Sequence, residues 1–391
     1  GLYYIIYLKF GGNRVKKITF LLLHLNYGGL EKQTITLINE LAKTGKYDIK
    51  ILSVYDLLDG KSFYNIDSKV KVEFLSNFGP HHKEFFDALR SFKILKFFKE
   101  AYIMIKCGIY KTIKLKRYIK NLDTDIIVSS RIEFSKQIKR RDTLNISQEH
   151  SYIATKKYIN KVKKYFKNID DIVVMTKKAK TNYEEWLKDS NSNARVHNIS
   201  NMIEKVDTKI ANFNNNTIIS VGRLEPVKDF STLLDIFSKV HEKNSKLRLK
   251  IVGEGSQREL LESKIERLNL KEYVTITGRI SSDGVKDELA SASVFILTSI
   301  CESFSLVLCE AMECGLPCLS FNIDVGPKEI IKDGYNGILV KERNIDEMAD
   351  NIIKLLNDEE KWTMISKNSL EEVKKYYSEN VAKEWINILE K

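Results

Sequence analysis

Short apolar segments of strand length alternate with amphipathic helical segments along most of this 391-residue chain. The segment KKITFLLLHL at 16–25 predicts a strand buried on both faces, and LEKQTITLINELAK after it has helical spacing. Further buried strands are predicted at 47–54, 125–130, 143–148 and 171–176. Such strands, separated by helices, indicate an α/β protein with a doubly wound parallel sheet.

The same alternation restarts at TIISVG, residues 217–222, after a polar segment at 194–216 that is typical of a linker. We therefore predict two Rossmann-like domains, which together hold a ligand cleft at the carboxyl ends of their strands. The chain begins with Gly1 and reaches its first convincing strand only after FGGNRVKK, so the start is interpreted as a non-native or disordered leader. The predicted divisions are a leader at 1–15, domains at 16–198 and 199–375, and a last helix at 376–391 that crosses back to the first domain.

Charge is divided unevenly between the two halves. Residues 1–200 carry 38 Lys and Arg against 20 Asp and Glu, whereas the remainder carries 26 against 32. A basic half indicates an anionic partner, either a membrane surface or nucleic acid. No zinc finger, aromatic RNA-binding signature or helix-turn-helix pattern is present, so we expect no nucleic-acid partner and keep that class as a distant alternative.

The segment from 83 to 120 combines apolar residues at helical spacing with many lysines. The apolar positions are Phe92, Leu95, Phe98, Tyr102 and Ile105. One interpretation is a basic amphipathic helix lying on an anionic bilayer. The other is an ordinary helix whose apolar stripe faces the core and whose lysines are solvated.

Two of the loops that follow predicted strands carry residues suited to an anion: one carries two glycines and the other two cationic side chains. Gly28 and Gly29 open the helix after the first strand, where a bare backbone and free amides favour close approach to an anion. A plain tight turn explains the two glycines equally well. Arg223 and Lys228 lie on the loop after 217–222 and have the charge to neutralise a diphosphate, unless both are simply solvated.

The segment ESFSLVLCE at 302–310 places Glu302 in a loop and Glu310 about two turns into the following helix. The amides around Ser305 lie at the positive end of that helix, and the two carboxylates suit sugar hydroxyls and a ribose diol. The alternative is that both acids face water. His150 follows the strand at 143–148, where a single histidine is more often structural than catalytic.

Together these motifs resemble the retaining nucleotide-sugar glycosyltransferases of family 4, which have the GT-B fold. The resemblance rests on the GG loop, GRLEPVK at 222–228, IVGEG at 251–255 and ESFSLVLCE, followed by EAMECGLP, GPKEII and DGYNGILV. It implies two doubly wound domains facing across a cleft. It also implies a bacterial hexosyltransferase that moves a hexose or N-acetylhexosamine, from a UDP-sugar by preference, in the synthesis of cell-surface polysaccharide such as capsule.

The resemblance also implies roles for individual residues. Arg223 and Lys228 would hold the donor diphosphate, Glu302 would contact the donor sugar at the reacting centre, and His150 would lie near its 6-position; these four are the candidate catalytic residues. Glu310 would bind the nucleotide ribose. The remaining candidate substrate-binding positions are Gly28, Gly29, Gly253, Ser305, Leu306 and Val307.

Two cations and a helix amino end can stabilise a departing nucleotide diphosphate without a metal. We therefore expect no metal and no cofactor other than the nucleotide-sugar co-substrate. The expected acceptor is a glycan or a polyprenyl-diphosphate-linked sugar, reached by a cytoplasmic enzyme bound peripherally to the inner face of the cell membrane. A nucleotide-sugar epimerase on the same fold remains the alternative, and Ser303 and Ser305, where the family often has glycines, leave the donor sugar open.

Overall fold

The computed structural model describes residues 14–91, 93–150, 154–205 and 209–391, and the chain divides into two compact units. The first unit contains the described residues up to Val174, residues 180–198 and residues 382–391. The second contains residues 175–179 and 199–381. Apart from Arg14 and Val15, the predicted leader lies outside the described residues, as does Phe92 of the apolar stripe.

The first unit is built on a seven-stranded sheet with the order β3-β2-β1-β4-β5-β6-β7, in which all neighbouring strands are parallel. Its strands are β1 Lys16–Leu22, β2 Tyr47–Ser53, β3 Lys71–Phe74, β4 Ile126–Ser129, β5 Leu144–Glu149, β6 Asp171–Val174 and β7 Arg195–Asn198. Isoleucine, valine and leucine fill the central strands, and β4 and β6 are buried along their whole length. The continuous apolar runs in the sequence therefore correspond to strands covered on both faces.

Helices connect these strands. They are α1 Gly29–Lys43, α2 His82–Arg90, α3 Ile94–Ile109, α4 Leu115–Lys120, α5 Ile132–Ser135, α6 Lys156–Tyr165 and α7 Lys177–Leu187. A single π-helical turn, Tyr110–Lys114, joins α3 to α4. The structure thus confirms helices within the basic segment at 83–120, and their exposed faces are described below.

The second unit contains a six-stranded parallel sheet with the order β10-β9-β8-β11-β12-β13. Its strands are β8 Thr217–Val221, β9 Arg248–Val252, β10 Val274–Ile276, β11 Val294–Leu297, β12 Cys318–Phe321 and β13 Ile338–Val340. Its helices are α8 Phe230–Lys243, α9 Arg258–Arg267, α10 Ser282–Ala290, α11 Leu306–Glu313, α12 Pro327–Ile330, α13 Ile345–Leu356 and α14 Glu359–Glu372. The last helix, α15 Ser378–Leu389, begins in this unit and ends in residues that belong to the first.

One segment differs from the expectation. Arg195–Asn198, inside the segment interpreted as a linker, forms the edge strand β7, which pairs in parallel with β6. Only Val196 of this strand is buried. An edge strand with a single buried residue shows almost no apolar pattern. For this reason the sequence of this segment was interpreted as a polar linker.

Each sheet has one point where the strand order reverses, between β1 and β4 in the first unit and between β8 and β11 in the second. Loops leaving the carboxyl ends of two such strands diverge, and the crevice between them is where doubly wound sheets bind ligands. The loops after β8 and β11 carry Arg223, Lys228 and Glu302. The loops after β1 and β4 carry Gly28 and Arg131.

Candidate functional site

An ion pair lies at the reversal point of the second unit. The Lys228 Nζ donates to Glu302 Oε1 at 2.6 Å, and Ser299 Oγ donates to the same oxygen at 2.6 Å. The side chains of Lys228 and Glu302 are only 20% and 9% exposed. The predicted cation and carboxylate are therefore joined directly, and the buried charge of Glu302 has its compensating partner.

Hydrogen bonds to backbone carbonyl oxygens hold the two loops of this pair together. Thr298 Oγ1 donates to the carbonyl oxygens of Lys228 at 3.1 Å and Asp229 at 3.0 Å. The Ile300 amide donates to the Val227 carbonyl at 2.8 Å. Since the loop after β11 is fixed to the loop after β8, the position of Glu302 relative to Lys228 is set by the sheet.

Asp229 and Arg343 extend the same cluster, although no sequence motif predicted either residue. Asp229 has a left-handed backbone (φ 49°) and caps α8, accepting from the Thr232 amide at 3.2 Å and its hydroxyl at 2.7 Å. Arg343 donates to Asp229 Oδ2, and its guanidinium lies 5.4 Å from the centre of the Phe321 ring. The sequence did contain one signal for Asp229: an aspartate directly before an apolar helix is a pattern typical of helix capping.

The helix α11 begins at a strained residue. Ser305 occupies the left-handed region (φ 76°), its side chain does not cap the helix, and its hydroxyl is buried without a hydrogen-bond partner among the described residues. Leu306 and Val307 form the first turn and are half-buried. Gly326 packs against this loop, where an added Cβ would lie 2.7 Å from Glu302 Cβ. The loop around Glu302 is thus tightly confined.

Two further predicted residues remain available for a ligand. Arg223 is exposed, and Glu310 is half-buried on α11. Among the described residues neither forms an ion pair within 4 Å. The structure therefore brings Lys228 and Glu302 into contact. Arg223 lies on the same loop as Lys228, and Glu310 lies on α11 after Glu302, but neither residue bonds to that pair.

Gly253 has a steric role in the structure. It follows β9 with φ +154°, and an added Cβ would lie 1.8 Å from the Gly222 carbonyl oxygen. Its amide donates to the Gly278 carbonyl at 3.0 Å. A side chain at this position would separate the loops after β8 and β9, so Gly253 shapes the backbone that presents Arg223.

The glycine loop of the first unit lies next to the buried carboxylate of Glu31. Gly28 caps α1 in an extended conformation, and an added Cβ would lie 2.0 Å from Glu31 Oε2, so a side chain at this position would displace the Glu31 carboxylate. Glu31 is buried and accepts from Arg131 Nη2 at 3.2 Å. Around Gly29 no heavy atom lies within 4 Å of an added Cβ, which leaves its backbone open.

His24 completes this group, with Nδ1 3.7 Å from Glu31 Oε1. Burial lowers the pKa of His24, Glu31 opposes that change, and Arg131 adds to it. His24 and Arg131 were not identified from the sequence. Arg131 had one signal, its place directly after the strand predicted at 125–130.

His150 follows β5 directly and is half-buried. The preceding residue, Glu149, is fully buried and accepts from Ser147 Oγ at 2.8 Å and Tyr158 OH at 2.7 Å. Burial raises the pKa of Glu149 to about 7, partly opposed by these two hydrogen bonds. The structure places His150 at the carboxyl edge of the first sheet, whereas the other candidate catalytic residues lie in the second unit.

No group of three or more His, Cys, Asp or Glu within the described ranges could hold a metal ion. The sequence Asp-Thr-Asp at 123–125 contains two potential oxygen ligands. Both precede β4, at the amino edge of the sheet: Asp123 pairs with the Lys17 ammonium, and Asp125 Oδ2 accepts from the Lys17 amide at 2.8 Å. These carboxylates serve the attachment of β1 and lie away from the loops that carry the candidate site residues.

A second surface of the first unit is apolar and basic. The exposed fractions of Leu95, Phe98, Tyr102 and Ile105 on α3 are 89%, 65%, 65% and 65%. The interpretation in which this stripe faces the core is therefore wrong for these four residues. In the described part of the chain, no helix has the length and apolar character needed to cross a bilayer.

Residues 203–372 match the sequence model of the family "Glycosyl transferases group 1". An uncharacterized glycosyltransferase of Haemophilus influenzae is 29% identical over 96% of this chain and 100% of its own length. A Campylobacter jejuni alpha-1,4-N-acetyl-D-galactosaminyltransferase, named for a PP-undecaprenol-linked acceptor, is 28% identical over 95% of this chain and 98% of its own.

The crystal structure of TarM superimposes with a TM-score of 0.74 at 17% identity, covering 97% of this chain and 99% of TarM. That likeness identifies the fold, and the family match lies on the unit that contains Lys228, Glu302 and Glu310. The chain is thus a relative of the group 1 glycosyltransferases, and its fold is GT-B.

Proposed function

We propose that this chain is a retaining hexosyltransferase that moves a hexose or N-acetylhexosamine from a nucleotide sugar, a UDP-sugar by preference, without a metal. The acceptor is a glycan or a polyprenyl-diphosphate-linked sugar, and the product enters a cell-surface polysaccharide. The observation that carries this proposal is the Lys228–Glu302 pair at the β8–β11 reversal, beside the amino end of α11.

The chemistry of these groups supports the proposal. The bond from the anomeric carbon to the diphosphate oxygen breaks, and the acceptor hydroxyl oxygen bonds to the same face of that carbon. The departing diphosphate gains negative charge and takes the proton of the acceptor hydroxyl. Arg223, Lys228 and the first amides of α11 supply fixed positive charge for it. When Lys228 engages the diphosphate, Glu302 retains the Ser299 hydroxyl as a donor and presents its carboxylate to the sugar.

The relatives support the donor and the acceptor class. The Campylobacter relative is named for an N-acetylgalactosaminyl donor group and an undecaprenol-linked acceptor, and another relative takes part in amylovoran biosynthesis. A structure of TarM from S. aureus contains UDP. From the resemblance of its motifs to family 4, we assign Glu310 to the nucleotide ribose, Gly28 and Gly29 to the diphosphate, and His150 to the donor sugar.

The first test is Glu302→Gln, which removes the carboxylate charge and preserves the side-chain shape. We expect turnover to fall at least about 100-fold, because an interaction that grows in the transition state is lost. The measurement is nucleotide-diphosphate release from UDP- and GDP-sugars in EDTA, with acceptor present and absent. Isothermal titration should show donor affinity within about threefold of wild type.

Glu313→Gln is the matched control, because Glu313 lies 11 positions after Glu302, is also buried and pairs with Lys286 at 3.1 Å. It should lose stability without a comparable loss of turnover. Unchanged turnover in Glu302→Gln would refute the assigned role. Conversion of the nucleotide sugar to its epimer without an acceptor would favour the epimerase instead.

We also propose that the first unit binds an anionic membrane through the stripe on α3. Exposed Lys96 and Lys99 lie on the same helix, whereas the Lys106 ammonium lies 4.2 Å from the centre of the Phe78 ring. Such a face inserts its apolar residues between lipid headgroups while its exposed lysines contact anionic lipid. This attachment would bring the enzyme to a lipid-linked acceptor at the inner face of the cell membrane.

The double substitution Leu95→Ser and Phe98→Ser tests the attachment. We expect its affinity for phosphatidylcholine vesicles containing phosphatidylglycerol to fall about 10- to 100-fold, since two apolar side chains no longer leave water. Vesicle co-sedimentation measures this. The control is Leu260→Ser with Met364→Ser, which are 52% and 44% exposed on the second unit. Equal binding by all three proteins, or wild-type binding indifferent to anionic lipid, would contradict the proposal.

A further inference from the structure

A cavity of about 470 Å³ lies in the first unit, between α4 and the segment that leads from α5 to β5. This volume is in the range of small-molecule binding pockets. Its wall combines the apolar side chains of Ile113 and Ile119 with the cationic side chains of Lys116, Arg117 and Lys120. An apolar wall next to clustered cations suits a ligand that is both anionic and partly apolar.

Four of the five cations that line this cavity have no ion-pair partner in the described part of the chain. Lys116, Arg117, Lys120 and Lys139 are exposed, and among the described residues none of them forms an ion pair within 4 Å. Lys116 and Lys120 are one helical turn apart, so their charges repel each other. Arg140 alone is neutralised, by two bonds to Asp142 at 2.9 and 2.6 Å.

The cavity is distinct from the candidate site in the same unit. Arg140 donates to the carbonyl of Leu122, which precedes β4, so this wall lies near the amino ends of β4 and β5. Gly28 and His150 follow the carboxyl ends of β1 and β5. Since these strands are parallel, the two sets of residues lie at opposite edges of one sheet.

The apolar stripe of α3 leads to this cavity. Ile109 and Ile113, 41% and 51% exposed, continue the helical spacing of Tyr102 and Ile105 through the π-helical turn. Ile113 itself lines the cavity. A hydrocarbon chain lying along the stripe would therefore end beside Lys116 and Arg117, which bind phosphate oxygens well.

The geometry points to a binding site for a phosphate ester that carries a hydrocarbon chain, such as an anionic phospholipid. Occupation of the site would convert general adhesion of the α3 stripe into attachment at one defined position. This inference rests on the membrane attachment proposed above and is independent of the residues assigned to sugar transfer.

The test uses hexyl phosphate, inorganic phosphate and hexanol in isothermal titrations with the full chain, without any membrane. We expect hexyl phosphate to bind at least tenfold more tightly than either of the other two, because only it occupies both the cations and the apolar wall. The triple substitution Lys116→Gln, Lys120→Gln and Lys139→Gln should weaken hexyl phosphate at least tenfold.

The control removes the same charge from Lys46, Lys69 and Lys188, which are exposed elsewhere in the first unit. It should bind hexyl phosphate as wild type does, and circular dichroism should show both triple variants folded. Three results would overturn the proposal: no binding by wild type, equal affinity for inorganic and hexyl phosphate, or equal weakening in both triple variants. Vesicle binding that persists alongside any of these results would refute the cavity while leaving the membrane attachment intact.

Discussion

At the scale of residues, the candidate site depends on contacts between side chains carried by separate loops. Lys228 and Glu302 were assigned to a phosphate and a sugar separately, and the structure joins them at 2.6 Å. That contact depends on β8 and β11 being neighbours in the sheet, which nothing local to either loop specifies. Arg131 was missed for the same reason, since it acts across β1 and β4 on Glu31.

Gly253→Ala provides a prediction at this scale. The added Cβ would meet a backbone oxygen at 1.8 Å in a conformation that favours glycine, and backbone cannot rotate away as a side chain would. We expect the free energy of unfolding in urea to fall by about 2–4 kcal/mol. Gly108→Ala is the control: it lies in α3 with nothing within 4 Å and should stabilise the chain by about 0.5–1 kcal/mol. Equal stability of the two variants would contradict the steric role.

At the scale of elements, buried central strands were predictable because their apolar runs are continuous. The edge strands β3 and β7 were not, because Lys71 and Val72 of β3 are exposed and β7 buries only Val196. Helix α3 was predictable from its spacing, but its exposed face was not. The same spacing describes a helix packed on a core and a helix facing a bilayer, and only the tertiary structure separates them.

The contact of β5 with α6 and α7 gives a prediction of pH dependence. Glu149 on β5 accepts from Tyr158, whose hydroxyl lies 3.0 Å from that of Tyr183 on α7, and Glu133 on α5 repels its charge. Burial raises the pKa of Glu149 from 4.5 to about 7 in the folded chain. The folded state therefore binds more protons than the unfolded state between these values, and stability falls as pH rises through that window.

Glu149→Gln keeps an acceptor for Tyr158 and removes the titration. We expect its stability relative to wild type to rise by about 2–3 kcal/mol between pH 5 and pH 8, measured by urea unfolding. Taking the difference in the free energy of unfolding between the two proteins cancels the contributions of the other titrating groups. A constant difference across this range would show that Glu149 is ionised in the folded state at pH 5.

At the scale of the whole molecule, the sequence indicated two α/β units and an uneven charge distribution. It also predicted a last helix that crosses back to the first domain, and residues 382–391 belong to the first unit. It did not indicate that residues 175–179 belong to the second unit although both flanking segments belong to the first. Local patterns cannot show such an excursion, because membership of a unit is decided by contacts between residues far apart in the chain.

The return of residues 382–391 has a consequence for biosynthesis. Lys16 Nζ donates to the Leu389 carbonyl at 2.7 Å, and Tyr47 OH donates to Glu390 at 2.8 Å, while Trp385 is almost fully buried. The amino-terminal sheet therefore lacks part of its packing until residues 382–391 have been synthesised, which happens after residues 199–381 of the second unit. Although domains commonly fold in the order of their synthesis, here the second unit is synthesised before the first can complete its packing.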